Sequence, residues 1–166
     1  MRKIWMFLAL FGGLNLMADA QETAEQEVVT EDDLTKFATV ELMTSEFVEA
    51  KTEELKNMII NNEVIDGGAR YNEIKAAWGN PEKEAEIKLT DEEKAAYTAI
   101  KDFQDSLQKT VVDYKTELIK DDNVLGVSTY NKVNGAIKAD PSMKEKLDQR
   151  IAELKTQKDS ESDGSN

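Results

Sequence analysis

TDEEKAAYTAIKDFQDSLQKTVVDYKTELIK, residues 90–120, is the stretch that decides the fold. Its apolar side chains Tyr97, Ile100, Phe103, Leu107, Val111, Tyr114 and Leu118 recur every three or four residues. That interval matches an α-helical turn of about 3.6 residues, so they fall on one stripe of a helix from about Asp91 to Lys120. A stripe this long must be covered by other elements. The start is marked as well. Thr90 can accept a hydrogen bond from an unpaired first-turn amide, and Glu93 can reach back to the Thr90 amide in the capping-box manner. The acids beside them suit the positive end of the helix dipole.

Working outward, the same features occur sixty residues earlier. Thr30-Glu-Asp-Asp corresponds to Thr90-Asp-Glu-Glu, Phe37 to Tyr97, Tyr71-Asn72 to Tyr130-Asn131, and Pro81 to Pro141, at an offset of 60, then 59, then 60. We read a tandem duplication, repeat one at 30–89 and repeat two at 90–157. In the first copy Leu34, Phe37, Val40, Phe47, Leu55, Met58 and Ile59 form the stripe, interrupted by Lys51. Each long helix is followed by a glycine-containing turn, Val64-Ile65-Asp66-Gly67-Gly68 or Val124-Leu125-Gly126-Val127, where glycine supplies a left-handed backbone. A short helix follows, with Tyr71, Ile74, Ala77 and Trp78 on its face in one copy and Tyr130, Val133, Ala136 and Ile137 in the other. Ser128 is the predicted N-cap of the latter. Asn80-Pro81 and Asp140-Pro141 then stop and restart a helix, because proline loses a hydrogen bond inside a helix but fits its first position. The expectation is an all-α fold, a compact pseudo-twofold helical bundle forming a single domain over 30–157.

The ends read differently. Arg2 and Lys3, the apolar run Ile4 to Met17, and Ala18-Asp19-Ala20 have the form of a signal peptide at 1–20, cleaved after Ala20. Residues 21–29 read as an acidic linker and 158–166 as a disordered polar tail. Removing Arg2, Lys3 and Asp19 leaves 19 basic and 33 acidic residues, a net charge of -14 on 146 residues. Such a surface repels phosphate backbones and anionic headgroups, so we expect no nucleic acid partner and no stable membrane insertion after cleavage. The chain has no cysteine, so an exported fold relies on packing and hydrogen bonds without disulfides. The reading places the protein in the periplasm, with the extracellular space as the alternative.

Histidine and cysteine are both absent, which removes Ser-His-Asp and Cys-His catalysis and the familiar zinc sites. Two carboxylates across a cleft could still cleave a glycoside, but no acid pair is marked out by an apolar or glycine-rich setting. Asp121 to Gly126 begins like a calcium loop, yet Leu125 and Lys132 occupy positions five and twelve, where ligands are needed. We therefore expect no catalytic residues, no metal and no cofactor. Tyr71-Asn72 and Tyr130-Asn131 are the most distinctive repeated pair. They serve either structure, with the ring packed on a long helix and the amide capping a backbone group, or two related binding grooves.

Thr-Glu-Asp-Asp-Leu-Thr-Lys-Phe-Ala (30–38), the Tyr-Asn-x-x-x-x-Ala segments and the Asn/Asp-Pro breaks together resemble a family of small exported bacterial helical domains of unknown function. In that family an Asp-Glu-Glu-Leu-x-x-Phe-Ala segment opens the unit, and a Gly-Leu-Ser/Thr turn, a Tyr-Asn-x-Ile helix and an Asp-Pro-x-Leu restart close it. Some members carry two units in tandem, as here. Lys94 departs from the usual Leu, and both turns differ. The resemblance implies an exported helical domain and supplies no catalytic residues. The functional expectation is a non-enzymatic exported protein, an interaction module or structural component of the envelope whose protein partner and oligomeric state the sequence leaves open. The alternative is a periplasmic chaperone or stress-response binder, since Leu89-Thr90 is a fragment of a Leu-Thr-x-x-Gln signature found in such proteins. A carboxylate-based enzyme ranks below both.

Overall fold

The computed structural model describes residues 28–163. These form six helices and no strand: α1 (Glu31–Ile60), α2 (Gly67–Ala77), α3 (Pro81–Glu86), α4 (Asp91–Lys120), α5 (Val127–Ala139) and α6 (Pro141–Asp163). The all-α class expected from the stripes is the one the chain adopts. Residues 1–20, read as a signal peptide, and residues 21–27 of the acidic linker lie outside the described residues. Among those that are described, no helix is long and apolar enough to cross a membrane.

Local chemistry starts the long helices. The Thr30 hydroxyl accepts from the Asp33 amide at 3.1 Å, while the Asp33 carboxylate accepts from the Thr30 amide at 2.9 Å. Thr90 and Glu93 make the same exchange at 3.2 and 3.0 Å. Val29 and Leu89, immediately before the caps, pack onto the core and fix the entry of the chain. The restarts are capped in turn. Asn80 Oδ1 accepts from the Glu82 and Lys83 amides at 3.1 and 3.2 Å, and Asp140 Oδ1 from the Ser142 amide at 2.9 Å.

Gly67 and Gly126 take the left-handed backbone at φ +83° and +81°, and the turns around them deliver Ile65 and Leu125 into the interior. Here one expectation is corrected. The cap residue of α5 is Gly126 and not Ser128, because the helix begins directly at Val127, the Gly126 carbonyl accepting from the Tyr130 amide at 3.0 Å. Ser128 is therefore already helical.

The two long helices run antiparallel, which places one core at each end of the pair. Leu34, Phe37, Ala38 and Val40 of α1 meet Ile119 at the end of α4, together with Leu125, Tyr130, Val133 and Leu147. At the other end Tyr97 and Ile100 of α4 meet Ile65, Tyr71 and Ile74, flanked by Leu55, Met58 and Ile59 of α1. Midway, the rings of Phe47 and Tyr114 stack with centroids 4.1 Å apart. Lys51, which interrupted the α1 stripe in sequence, holds its ammonium 5.7 Å from the ring centroids of both Phe47 and Phe103 and bonds Glu54 at 2.7 Å. Its stem stays on the apolar stripe while its charge finds two aromatic faces and an acid.

α6 lies along α1. Leu147 is buried and Ile151 and Leu154 pack against the core, while Arg150 pairs with Glu31 and Lys158 with Glu46, each at 2.6 Å. Of the stretch 158–166, expected to be a disordered polar tail, residues 158–163 continue α6, and 164–166 lie outside the described residues. Helical hydrogen bonding and the Lys158–Glu46 pair order a segment whose composition offers no apolar contact.

Candidate functional site

Tyr71 and Asn72 stand on α2, and Tyr130 and Asn131 on α5. Successive residues of a helix point about 100° apart, so each pair divides between inside and outside. Tyr71 and Tyr130 are buried, with 7% and 9% of their surface exposed, whereas Asn72 and Asn131 are exposed. Tyr130 stacks on Phe37 of α1 with centroids 5.5 Å apart and planes 10° from parallel. Tyr71 tilts against Tyr97 of α4 at 5.4 Å, and Tyr97 also meets Trp78 at 4.5 Å. Both tyrosines are thus core residues, and burial pushes the Tyr130 hydroxyl above its usual pKa, with Glu41 adding to the effect. Neither asparagine caps a helix, contrary to the capping role considered for them, because each occupies an outward position inside its helix.

Beside each tyrosine stands a cation that the sequence reading passed over. Arg70 donates from Nε to Glu93 Oε1 at 2.6 Å and from Nη2 to Glu93 Oε2 at 2.8 Å and to the Ile87 carbonyl at 3.1 Å, and its Nη1 reaches Glu73 at 3.0 Å. The guanidinium holds the Glu93 carboxyl at a pKa of about 2 despite its burial, with the Thr90 amide acting in the same direction. Lys132 bonds Asp33 Oδ2 at 3.1 Å. Burial resists ionisation of Asp33, but the Thr30 amide and hydroxyl together with Lys132 outweigh it, and the net pKa is lowered. The acid that completes each capping box therefore also ties the start of a long helix to a short one, α4 to α2 and α1 to α5. The sequence signal was a cation within two residues of each tyrosine. Its acidic partner, far along the chain, had no local signature.

An open groove of about 340 Å³ on α4 is lined by Tyr114, Glu117, Leu118, Lys120 and Asp121. Its two acids are exposed to water, a setting unlike the desolvated acid that glycoside cleavage uses. In the calcium-like stretch, Asp121 Oδ1 accepts from the Asn123 amide at 2.9 Å, and the Asp121 carbonyl accepts from the amides of Val124, Leu125 and Gly126. Leu125, at the fifth position, is 3% exposed and belongs to the core. Among the described residues no group of three or more acids is placed to hold a metal ion.

No protein-family model, curated protein or solved structure matches the chain.

Proposed function

We propose that this is an exported, non-enzymatic helical protein that serves as a protein-interaction or envelope structural module, built from two copies of one unit, 30–89 and 90–157, about a pseudo-twofold axis. The observation that carries the reading is the matched division of the Tyr-Asn pairs. Tyr71 and Tyr130 anchor α2 and α5 in cores at opposite ends of the long helices, and both helices turn an asparagine outward. A helix of 30 residues is about 45 Å long, so like surfaces stand well apart on one rigid frame. Such a module engages two sites at once, and the second contact gains from the effective concentration set by the first. The net charge of -14 on the chain after Ala20 favours a partner with a basic surface. The resemblance to exported helical domains agrees with this location.

A photoreactive residue at position 72 or 131, compared with one at exposed Gln104 of α4, tests the reading in living cells. Adducts of the same mass from 72 and 131 and none from 104 are the expected result. Adducts from 104 alone, or from none of the three, overturn it. Amino-terminal sequencing of the exported protein is expected to begin at Gln21, and a chain retained in the cytosol with Met1 intact removes the location.

A further inference from the structure

Both cores are built across one boundary in the chain. The first joins Leu34, Phe37, Ala38 and Val40 to Ile119, Leu125, Tyr130, Val133 and Leu147, and the second joins Ile65, Tyr71 and Ile74 to Tyr97 and Ile100. The polar clamps cross the same boundary: Arg70 to Glu93, Lys132 to Asp33, Lys115 to Glu41, Arg150 to Glu31 and Lys158 to Glu46. Residues 30–78 and 90–163 thus complete each other.

A single connection, residues 79–89, links them. Its helix α3 buries no residue. It turns on two left-handed residues, Gly79 at φ +77° and Lys88 at φ +53°. Glycine adopts that backbone freely, but the Cβ of lysine makes it a strained one. Pro81 bars a continuous helix through the segment. A short and strained connection, exposed except where Ile87 and Leu89 touch the core, between mutually dependent halves is the condition under which two chains exchange halves.

We propose that two copies of this chain pair by exchanging residues 90–163 across the 79–89 connection. In the dimer Phe37 of one chain stacks on Tyr130 of the other, and Arg70 of one holds Glu93 of the other. All contacts between the halves are reproduced, and only the connection changes. It gives up the Glu84–Lys94 pair, 3.1 Å in the closed chain, the Arg70 bond to the Ile87 carbonyl and the packing of Ile87 on the second core, and releases the strain at Lys88. The tether favours the closed monomer at low concentration, so the exchanged dimer grows with protein concentration. The exchange depends on the contacts between the halves and not on their duplication.

The chain lacks cysteine, so Glu46→Cys with Lys158→Cys creates a unique thiol pair across α1 and α6. Light scattering during size-exclusion chromatography, from micromolar to near-millimolar protein, is expected to show a growing dimer. A short bis-maleimide added to the isolated dimer then reports which chains meet. Exchange gives covalent dimers on a denaturing gel. Monomer bands alone mean a dimer docked without exchange and overturn the proposal, as does the absence of a dimer at every concentration. Lys88→Gly, which removes the strain from both closed chains that make a dimer, is expected to weaken dimerisation about thirtyfold or more. An unchanged dimer fraction in that variant removes the strained connection from the argument.

Discussion

The ring of Tyr130 on α5 lies stacked on the ring of Phe37 in the second turn of α1, with centroids 5.5 Å apart and planes within 10° of parallel. The pair draws the late part of the chain onto its beginning and sits beside Val133, which is fully buried. Tyr130→Ala leaves a cavity there and is expected to cost about 3 kcal/mol. Tyr130→Phe keeps the ring and shifts stability by less than about 1 kcal/mol. Urea midpoints followed by helical circular dichroism separate the two, and equal midpoints for both variants would contradict the packing role.

Glu93 makes the fold sensitive to acid. Its carboxyl is held at a pKa of about 2 in the folded chain against an ordinary value of 4.5. A lowered folded-state pKa contributes stability that is present above the unfolded value and is lost as pH falls from 4.5 toward 2. The expected loss is about 3 kcal/mol. Asp33, also lowered, adds in the same direction. Stability measured from neutral pH down to strong acid should fall in that window, and Glu93→Gln should flatten the fall while lowering stability at neutral pH. A Glu93→Gln profile parallel to that of the native chain would dismiss the Arg70 clamp as its source.

Two glycines should respond in opposite senses. Gly135 lies inside α5 with nothing within 4 Å of the place a Cβ would take, so Gly135→Ala is expected to stabilise by about 0.5 to 1 kcal/mol. Gly126 sits at φ +81°, and a Cβ there would come within 2.9 Å of Asp122 Oδ1. Gly126→Ala is expected to destabilise by about 1 to 3 kcal/mol, chiefly through the backbone. Thermal midpoints decide both, and a rise for Gly126→Ala would refute the turn geometry.

The caps share Asp33 and Glu93 with the clamps, but their threonine hydroxyls are open to a separate measurement. Thr30→Ala and Thr90→Ala each leave a first-turn amide without its hydroxyl acceptor. Each is expected to cost about 1 kcal/mol. Hydrogen exchange should accelerate first at the amides of Asp33 and Glu93, and unchanged protection there would show that the hydroxyls do not hold the helix starts.

Much of the fold is legible in sequence because it rests on neighbours in the chain. The bounds of α4, both Thr caps and both proline restarts follow from residues three or four apart, where hydrogen bonds are local and spacing decides whether they form. Lys51 was legible only as an interruption, since the rings that receive its ammonium include Phe103, on the other long helix. Ser128 misled because a good cap residue stood two places too late, after Gly126 had already started the helix. The end of α6 was hidden by composition: Lys158 finds its acid, Glu46, on α1.

The candidate pairs divide in the same way. That Tyr71-Asn72 and Tyr130-Asn131 lie on helices, with tyrosine on the apolar face, could be read from the spacing. That Arg70 clamps Glu93, and Lys132 clamps Asp33, could not.

By itself, then, the sequence determined helical class, the starts of the two long helices and of both proline restarts, the turns and the order of elements, all set by short-range periodicity and hydrogen bonding. Only the tertiary structure decided that the start of each long helix packs on the short helix of the other half, Phe37 on Tyr130 and Tyr97 on Tyr71. The apolar stripes at the two ends are chemically alike, so hydrophobic burial alone ranks neither pairing above the other. The antiparallel packing of α1 and α4, with the reach of the 79–89 connection, selects between them.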